Sequence, residues 1–213
     1  MTRFARVAIA ILLVLSGRLA VAAQEREYDE VVPDSAETDE GLFDVHRVGE
    51  RLLFEIPDSL LGRDMVVMSR FHRTQADFAD VGALMAPNLV VRWERRGDRV
   101  LLRATSHAAT ADEGSAVGLA VENGSFSPVL AALEIAARGD DASVVDVTDL
   151  YLDDTPAFTM PQNQRSSENV RDYDRDRSWL EWSRSFPINV EVRVAQTYDA
   201  DAPPSAGRGG ALS

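Results

Sequence analysis

The chain has 213 residues, with 35 acids against 22 basic residues for a net charge of −13, and it contains no cysteine. Such a polyanion repels nucleic acid and anionic lipid, and a chain without cysteine cannot use disulfides, so its stability must come from a packed core or from partners. The length suits one ordinary domain, or one and part of another.

Met1 to Ala23 has the three parts of a secretory signal: Arg3 and Arg6 at the start, an apolar run from Val7 to Leu15, and the small residues Ala20-Val21-Ala22-Ala23. The alternative is a retained anchor, but the run is far shorter than the roughly 20 residues needed to span a bilayer, and Arg18 follows closely. Export to the periplasm, the cell surface or the medium is therefore expected, with no stable membrane span after cleavage. Cleavage removes three arginines and takes the net charge from −13 to −16.

Gln24 to Glu40 carries eight acids against Arg26 alone and reads as a flexible acidic leader, because so few apolar residues cannot bury enough surface to order it. From Leu42 the pattern turns to strand-like alternation. Phe43 and Val45 share one face, Leu52, Phe54 and Ile56 share another, and Gly49-Glu50 makes the turn of a hairpin. Pro57-Asp58-Ser59 ends the second strand, and Leu60-Leu61-Gly62 follows as a short helical turn or loop. Met65 to Phe71 resumes a strand, Thr74 to Pro87 is a loop, and Asn88 to Arg96 is a strand with Leu89, Val91 and Trp93 on one side. Gly97-Asp98 turns the chain, and Val100, Leu102 and Ala104 answer on the return strand.

Ala108 to Gly114 is a polar connection and Asn123-Gly124-Ser125 a turn that also satisfies a glycosylation sequon. Val129 to Arg138 is ambiguous between helix and strand; the Gly139-Asp140-Asp141 turn weighs towards a hairpin with Val144 to Val147. Ser178 to Glu181 fits a capping box and predicts a short helix over Trp179 to Ser185, stopped by Pro187. Val190, Val192 and Val194 then alternate with Glu191 and Arg193 as a strand. Asp199 to Ser213 reads as a loop or tail. The fold class expected is mainly β, α+β, with antiparallel hairpins and few short helices. Residues 41–165 form a β-rich domain with an open end, and residues 166–213 start a second domain that the sequence leaves incomplete.

Candidate chemistry is sparse. His46, His72 and His107 lack the helical spacing by which two imidazoles face one zinc ion, and His46 and His107 are expected on exposed strand faces. Asp172, Asp174 and Asp176 open like a calcium loop, but Arg177 stands where glycine is needed and Ser183 where a bidentate glutamate is needed. Interleaved Arg171, Arg175 and Arg177 instead suggest a self-neutralised surface. Asp146, Asp149, Asp153 and Asp154 suit strand ends and helix caps. No serine sits in G-x-S-x-G, and Gly207-Arg208-Gly209-Gly210 lacks the strand and helix that flank a phosphate loop. Trp93, Trp179 and Trp182 could form a ligand platform, although Trp93 falls on the apolar face of its strand and reads as core. The residues single out no catalytic, cofactor-binding or metal site in this chain.

In order and spacing, the series GLFDVHRVGERLLFEIPDSLLGRDMVVMSR (Gly41 to Arg70), VVRWERRGDRVLLR (Val90 to Arg103), FSPVLAALEI (Phe126 to Ile135), VVDVTDLYLDD (Val144 to Asp154) and DRDRSWLEWSRSFPINVEVRVAQTYDA (Asp174 to Ala200) resembles the N-terminal region of secreted bacterial zinc-dependent metalloproteases of the metzincin type. The resemblance implies two β-rich regions ahead of a catalytic domain with an H-E-x-x-H zinc motif. It carries no catalytic residue onto this chain. The function it implies is a non-catalytic part that packs against or positions the catalytic domain, or helps bind a protein or peptide substrate, with zinc held elsewhere in the full-length protein. A stand-alone periplasmic binding or assembly module is the alternative, and a hydrolase built from Asp and Ser side chains has no motif behind it.

Overall fold

The computed structural model describes residues 27–75, 78–105, 127–167 and 170–200. The expected signal segment, His107, the Asn123-Gly124-Ser125 turn and the glycines at 207–210 lie outside them. The fold is mainly β, as the alternation anticipates. Eight antiparallel strands form one curled sheet: β1 (Glu37–Asp39), β2 (Asp44–Val48), β3 (Arg51–Pro57), β4 (Met65–Val67), β5 (Leu89–Arg96), β6 (Arg99–Thr105), β7 (Val129–Arg138) and β8 (Ala142–Asp146). Their order is β1-β2-β3-β8-β7-β6-β5-β4. A separate hairpin joins β9 (Val170–Phe186) to β10 (Asn189–Ala200). Among the described residues there are three short helices: α1 (Tyr28–Val31), α2 (Thr148–Leu152) and α3 (Gln162–Ser167). Among the described residues no helix is long and apolar enough to cross a membrane.

The curl follows from one connection. β3 and β4 lie five places apart in the sheet, about 24 Å if it were flat, yet only Asp58 to Asp64 join them, and a 3-10 turn over Asp58–Leu60 shortens that link further. The link runs from the β7–β8 turn to β5, held at one end by Asp58 N–H on Asp141 O (2.8 Å) and at the other by Gly62 N–H on Trp93 O (2.8 Å), with Leu60 turned into the core. Asp58 also pairs with Arg95 of β5 at 2.6 Å.

Inside the curl lies the main core, with Phe43, Val45, Leu52, Phe54, Ile56, Val91, Trp93, Val100 and Leu102 all buried. Leu150 and Leu152 of α2 and Leu180 of β9 close it, and Val190, Val192 and Val194 of β10 pack against it. The expected hairpins β2–β3, β5–β6 and β7–β8 are all present, the last resolving the ambiguity at Val129 to Arg138 in favour of strand.

Three expectations are corrected. The acidic leader is ordered from Tyr28: β1 pairs with β2 at the edge of the sheet and α1 covers its outer face, where Val31 and Val32 join Leu53, Ala137 and Val144 in a second small core. Two adjacent valines outweigh the surrounding acids, because β3 is apolar on both faces and its outer face needs a cover. That cover also buries His46, 2 % exposed instead of solvent-facing.

The third correction concerns Trp179 to Ser185, which is strand within β9 and not helix. The supposed capping pair has other partners: Ser178 Oγ donates to Asp174 O (2.6 Å) and accepts from Thr197 N–H (3.0 Å), while Glu181 meets Arg73. Pairing with the alternating valines of β10 overrides a local signal worth about 1 kcal/mol.

Candidate functional site

An apolar cleft of about 650 Å³ opens between β4 and the tip of the β9–β10 hairpin. Its floor is a run of aromatic rings brought together from four parts of the chain. Trp93 meets Phe43 edge-on at 6.3 Å, Phe43 lies 5.6 Å from Phe54, Phe54 lies 6.1 Å from Tyr151, and Tyr151 lies 5.1 Å from Phe158. Such tilted and edge-to-face pairs are the favoured geometries for quadrupolar rings. Burial pushes the Tyr151 phenol above its ordinary pKa, so it stays neutral at physiological pH. The ionisable groups Arg63 and Asp64 line the cleft from the β3–β4 link. Asp64 is engaged by Arg92, a pair that raises the pKa of the guanidinium. Ile188 lines the cleft from the hairpin tip and is 85 % exposed.

Two polar clusters lie elsewhere. On the outer face, Tyr28 Oη donates to Glu55 Oε2 (2.6 Å), which also accepts from His46 Nε2 (3.1 Å), while His46 Nδ1 is hydrogen-bonded to Thr38 Oγ1 (2.8 Å). A donor role at Nε2 leaves Nδ1 of a neutral imidazole as acceptor for the Thr38 hydroxyl. The group ties α1, β1, β2 and β3 together. Behind the β9–β10 hairpin, buried Arg165 donates to Asp154 Oδ2 (2.8 Å) and Met160 O (2.7 Å) and packs over the Tyr198 ring at 4.9 Å. The guanidinium holds the Asp154 carboxyl below its usual pKa. The first cluster fastens α1 to the eight-stranded sheet, and the second fastens α3 to the β9–β10 hairpin.

The residues weighed from sequence fall apart in space. His72 is exposed and distant in the chain from buried His46. Asp174 pairs with Arg177 (2.6 Å), Arg177 also meets Asp199, and Arg175 reaches Asp149 (3.4 Å) and Asp153 (3.3 Å). These are surface ion pairs. Asp146 accepts from Thr148 N–H (3.0 Å) at the start of α2 and from Arg51 Nε (2.8 Å). Trp93 is core and floors the cleft, Trp179 is 56 % exposed, and Trp182 lies between Arg184 and Arg193. Among the described residues no three His, Asp or Glu side chains are grouped to hold a metal ion. Those residues do not fit zinc. Sequence reasoning missed the cleft itself. Its one local signal is Ile188, an apolar residue directly after Pro187 in a hairpin turn.

Compared with protein families, residues 25–74 match a domain of unknown function, DUF5118, and residues 82–212 match another, DUF5117. The second match covers more than half of the chain. The chain belongs to the DUF5117 family. No curated protein and no solved structure matches it. In the fold the DUF5118 region supplies β1 to β4, which occupy both ends of the eight-stranded sheet, and the DUF5117 region supplies β5 to β8 between them. The two regions share one core, and both line the cleft: Phe43, Phe54 and β4 come from the first, Trp93, Tyr151, Phe158 and Ile188 from DUF5117.

Proposed function

We propose that this chain is a non-catalytic, β-rich module of an exported, zinc-dependent metalloprotease-like protein, and that its cleft receives an apolar segment of that protein's catalytic domain or of a protein substrate. The ordered resemblance of Gly41–Arg70, Val90–Arg103 and Asp174–Ala200 to such proteases supports the family assignment. The observation that carries the role is the lining of the cleft, five aromatic rings and aliphatic side chains with few ionisable groups. Such a surface gains free energy by removing an apolar partner from water, whereas proton transfer or nucleophilic attack needs ionisable groups within hydrogen-bond reach of substrate. In this reading zinc and peptide-bond hydrolysis belong to the catalytic domain, and export follows from Met1 to Ala23.

The test has two parts. Purified chain incubated with labelled casein and added zinc should show no turnover; proteolysis abolished by a chelator would overturn the non-catalytic assignment. Reading the gene past the codon for Ser213 should show an in-frame continuation to an H-E-x-x-H helix. A stop codon there would favour the second reading, a stand-alone exported binding module. One observation supports that alternative: the sheet and its core are assembled from both family regions within this chain.

A further inference from the structure

We infer that the cleft is a strand-insertion site: it takes an extended peptide of a partner protein, apolar at alternate positions, which adds to the free edge of β4 and sets an acidic side chain against Arg63. The inference rests on reading the cleft as a receptor for an apolar segment, and it specifies that segment's form.

The backbone supplies the first argument. Among the described residues, β4 ends the eight-stranded sheet and pairs with β5 alone, and β10 pairs with β9 alone. Both strands line the same cleft, through Met65 to Val67 on one side and Asn189 and Val190 on the other. Because Gly62 N–H donates to Trp93 O, the carbonyl of residue 93 points towards β4, and by alternation so do the polar groups of residues 91 and 89. Their partners in the register, Met65 and Val67, therefore take the ladder to β5, and the N–H and C=O of Val66 face the open edge. An incoming strand would satisfy both groups in register, the mode of recognition by which peptides add to exposed sheet edges.

Side chains supply the second. Val66 is 63 % exposed, while Met65 and Val67 are half-buried against the core. A strand laid beside β4 would repeat that alternation and place every second side chain over the aromatic floor. It would also cover Ile188, 85 % exposed across the opening. A volume of about 650 Å³ suits side chains from a short peptide, within the roughly 300–1,000 Å³ of ligand clefts.

Charge supplies the third. The neighbouring ionised groups are neutralised, Asp64 by Arg92 and Asp58 by Arg95, whereas Arg63 is exposed at the cleft and forms no ion pair among the described residues. A carboxylate on the incoming peptide would complete that pattern.

The probe is a fluorescein-labelled, acetylated peptide, Val-Thr-Val-Thr-Val-Asp, titrated with the whole chain and followed by anisotropy. Saturable binding is expected, weakened roughly tenfold when alternate amides of the probe are N-methylated, since the amide that donates to the Val66 carbonyl is then lost. Arg63→Glu should weaken binding of the same probe and restore it for a probe ending in Arg. No saturable binding, or equal binding of the N-methylated probe, would overturn strand insertion. So would a dimer of the free chain that Ile188→Asp disperses and the probe does not, because a second copy would then be the occupant. Failure of the proposed function reads out separately, as chelator-sensitive cleavage of the probe.

Discussion

Tyr28 donates its hydroxyl hydrogen to Glu55 across 27 residues of sequence, at 2.6 Å, and so fixes the start of the described chain to the third strand of the sheet. The phenol's pKa is raised, first by burial and then by this bond to the carboxylate. The contact stays intact across the physiological range. It explains how a stretch rich in acids is ordered: apolar Val31 and Val32 cover the sheet, and one phenol engages a carboxylate within that cover.

Tyr28→Phe should therefore cost about 1.5–3 kcal/mol, the contribution of one hydrogen bond to a carboxylate. Val31→Asp should cost more, because it places a carboxylate at a position with 0 % exposure. Urea unfolding of both variants checks the order. Limited proteolysis should cut Val31→Asp first between Tyr28 and Ala36, and resistance of that segment would contradict its anchoring role.

Asp154 and Arg165 make stability depend on pH in a defined direction. The guanidinium lowers the pKa of Asp154 in the folded state, so the pair's contribution is present above the ordinary carboxylate value, about 3.9, and is lost as pH falls through the lower folded value. The Asp154 side chain is 46 % exposed, and solvent screening keeps the effect modest. Urea midpoints measured from pH 6 to pH 2 should fall more steeply below about pH 4 in the parent than in Asp154→Asn. Parallel curves would remove the pair from the acid response.

Gly41 lies where β9 presses on the entry to β2. A Cβ there would meet Phe186 O at 2.8 Å and collide with Ser185 Oγ. Gly41→Ala should destabilise the chain by about 1–3 kcal/mol, as overpacking does. Ser185→Ala should cost about 1–2 kcal/mol, since the buried hydroxyl donates to Phe43 O at 2.6 Å. Combining the two removes the Oγ that the new methyl strikes, so the double variant should lose less than the sum of the singles in thermal unfolding.

Trp93→Ala should cost about 3–5 kcal/mol, because the ring is 4 % exposed and packs edge-on against Phe43. Ile188→Ser should leave the unfolding midpoint within about 0.5 kcal/mol of the parent, as its side chain is 85 % exposed. A large loss at Ile188 would mean that the hairpin tip is structural and not a surface kept for a partner.

The alternation of Leu52, Phe54, Ile56, Val91, Trp93, Val100 and Leu102 determined by itself that this is a β-rich protein, where its main hairpins turn, and which side chains fill its core. Period-two patterning acts between residues close in sequence, so hairpins are legible without any fold. What tertiary structure decided depends on long-range pairing. Val31 and Val32 become a cover only when β3 offers an apolar outer face, His46 is buried only beneath that cover, and Trp179 and Leu180 enter a strand only because β10 pairs with them. The cleft is the extreme case. Phe43, Trp93, Tyr151 and Phe158 stand in four separate segments and meet only because the sheet curls, which lets the short link from β3 reach β4 past the four strands between them.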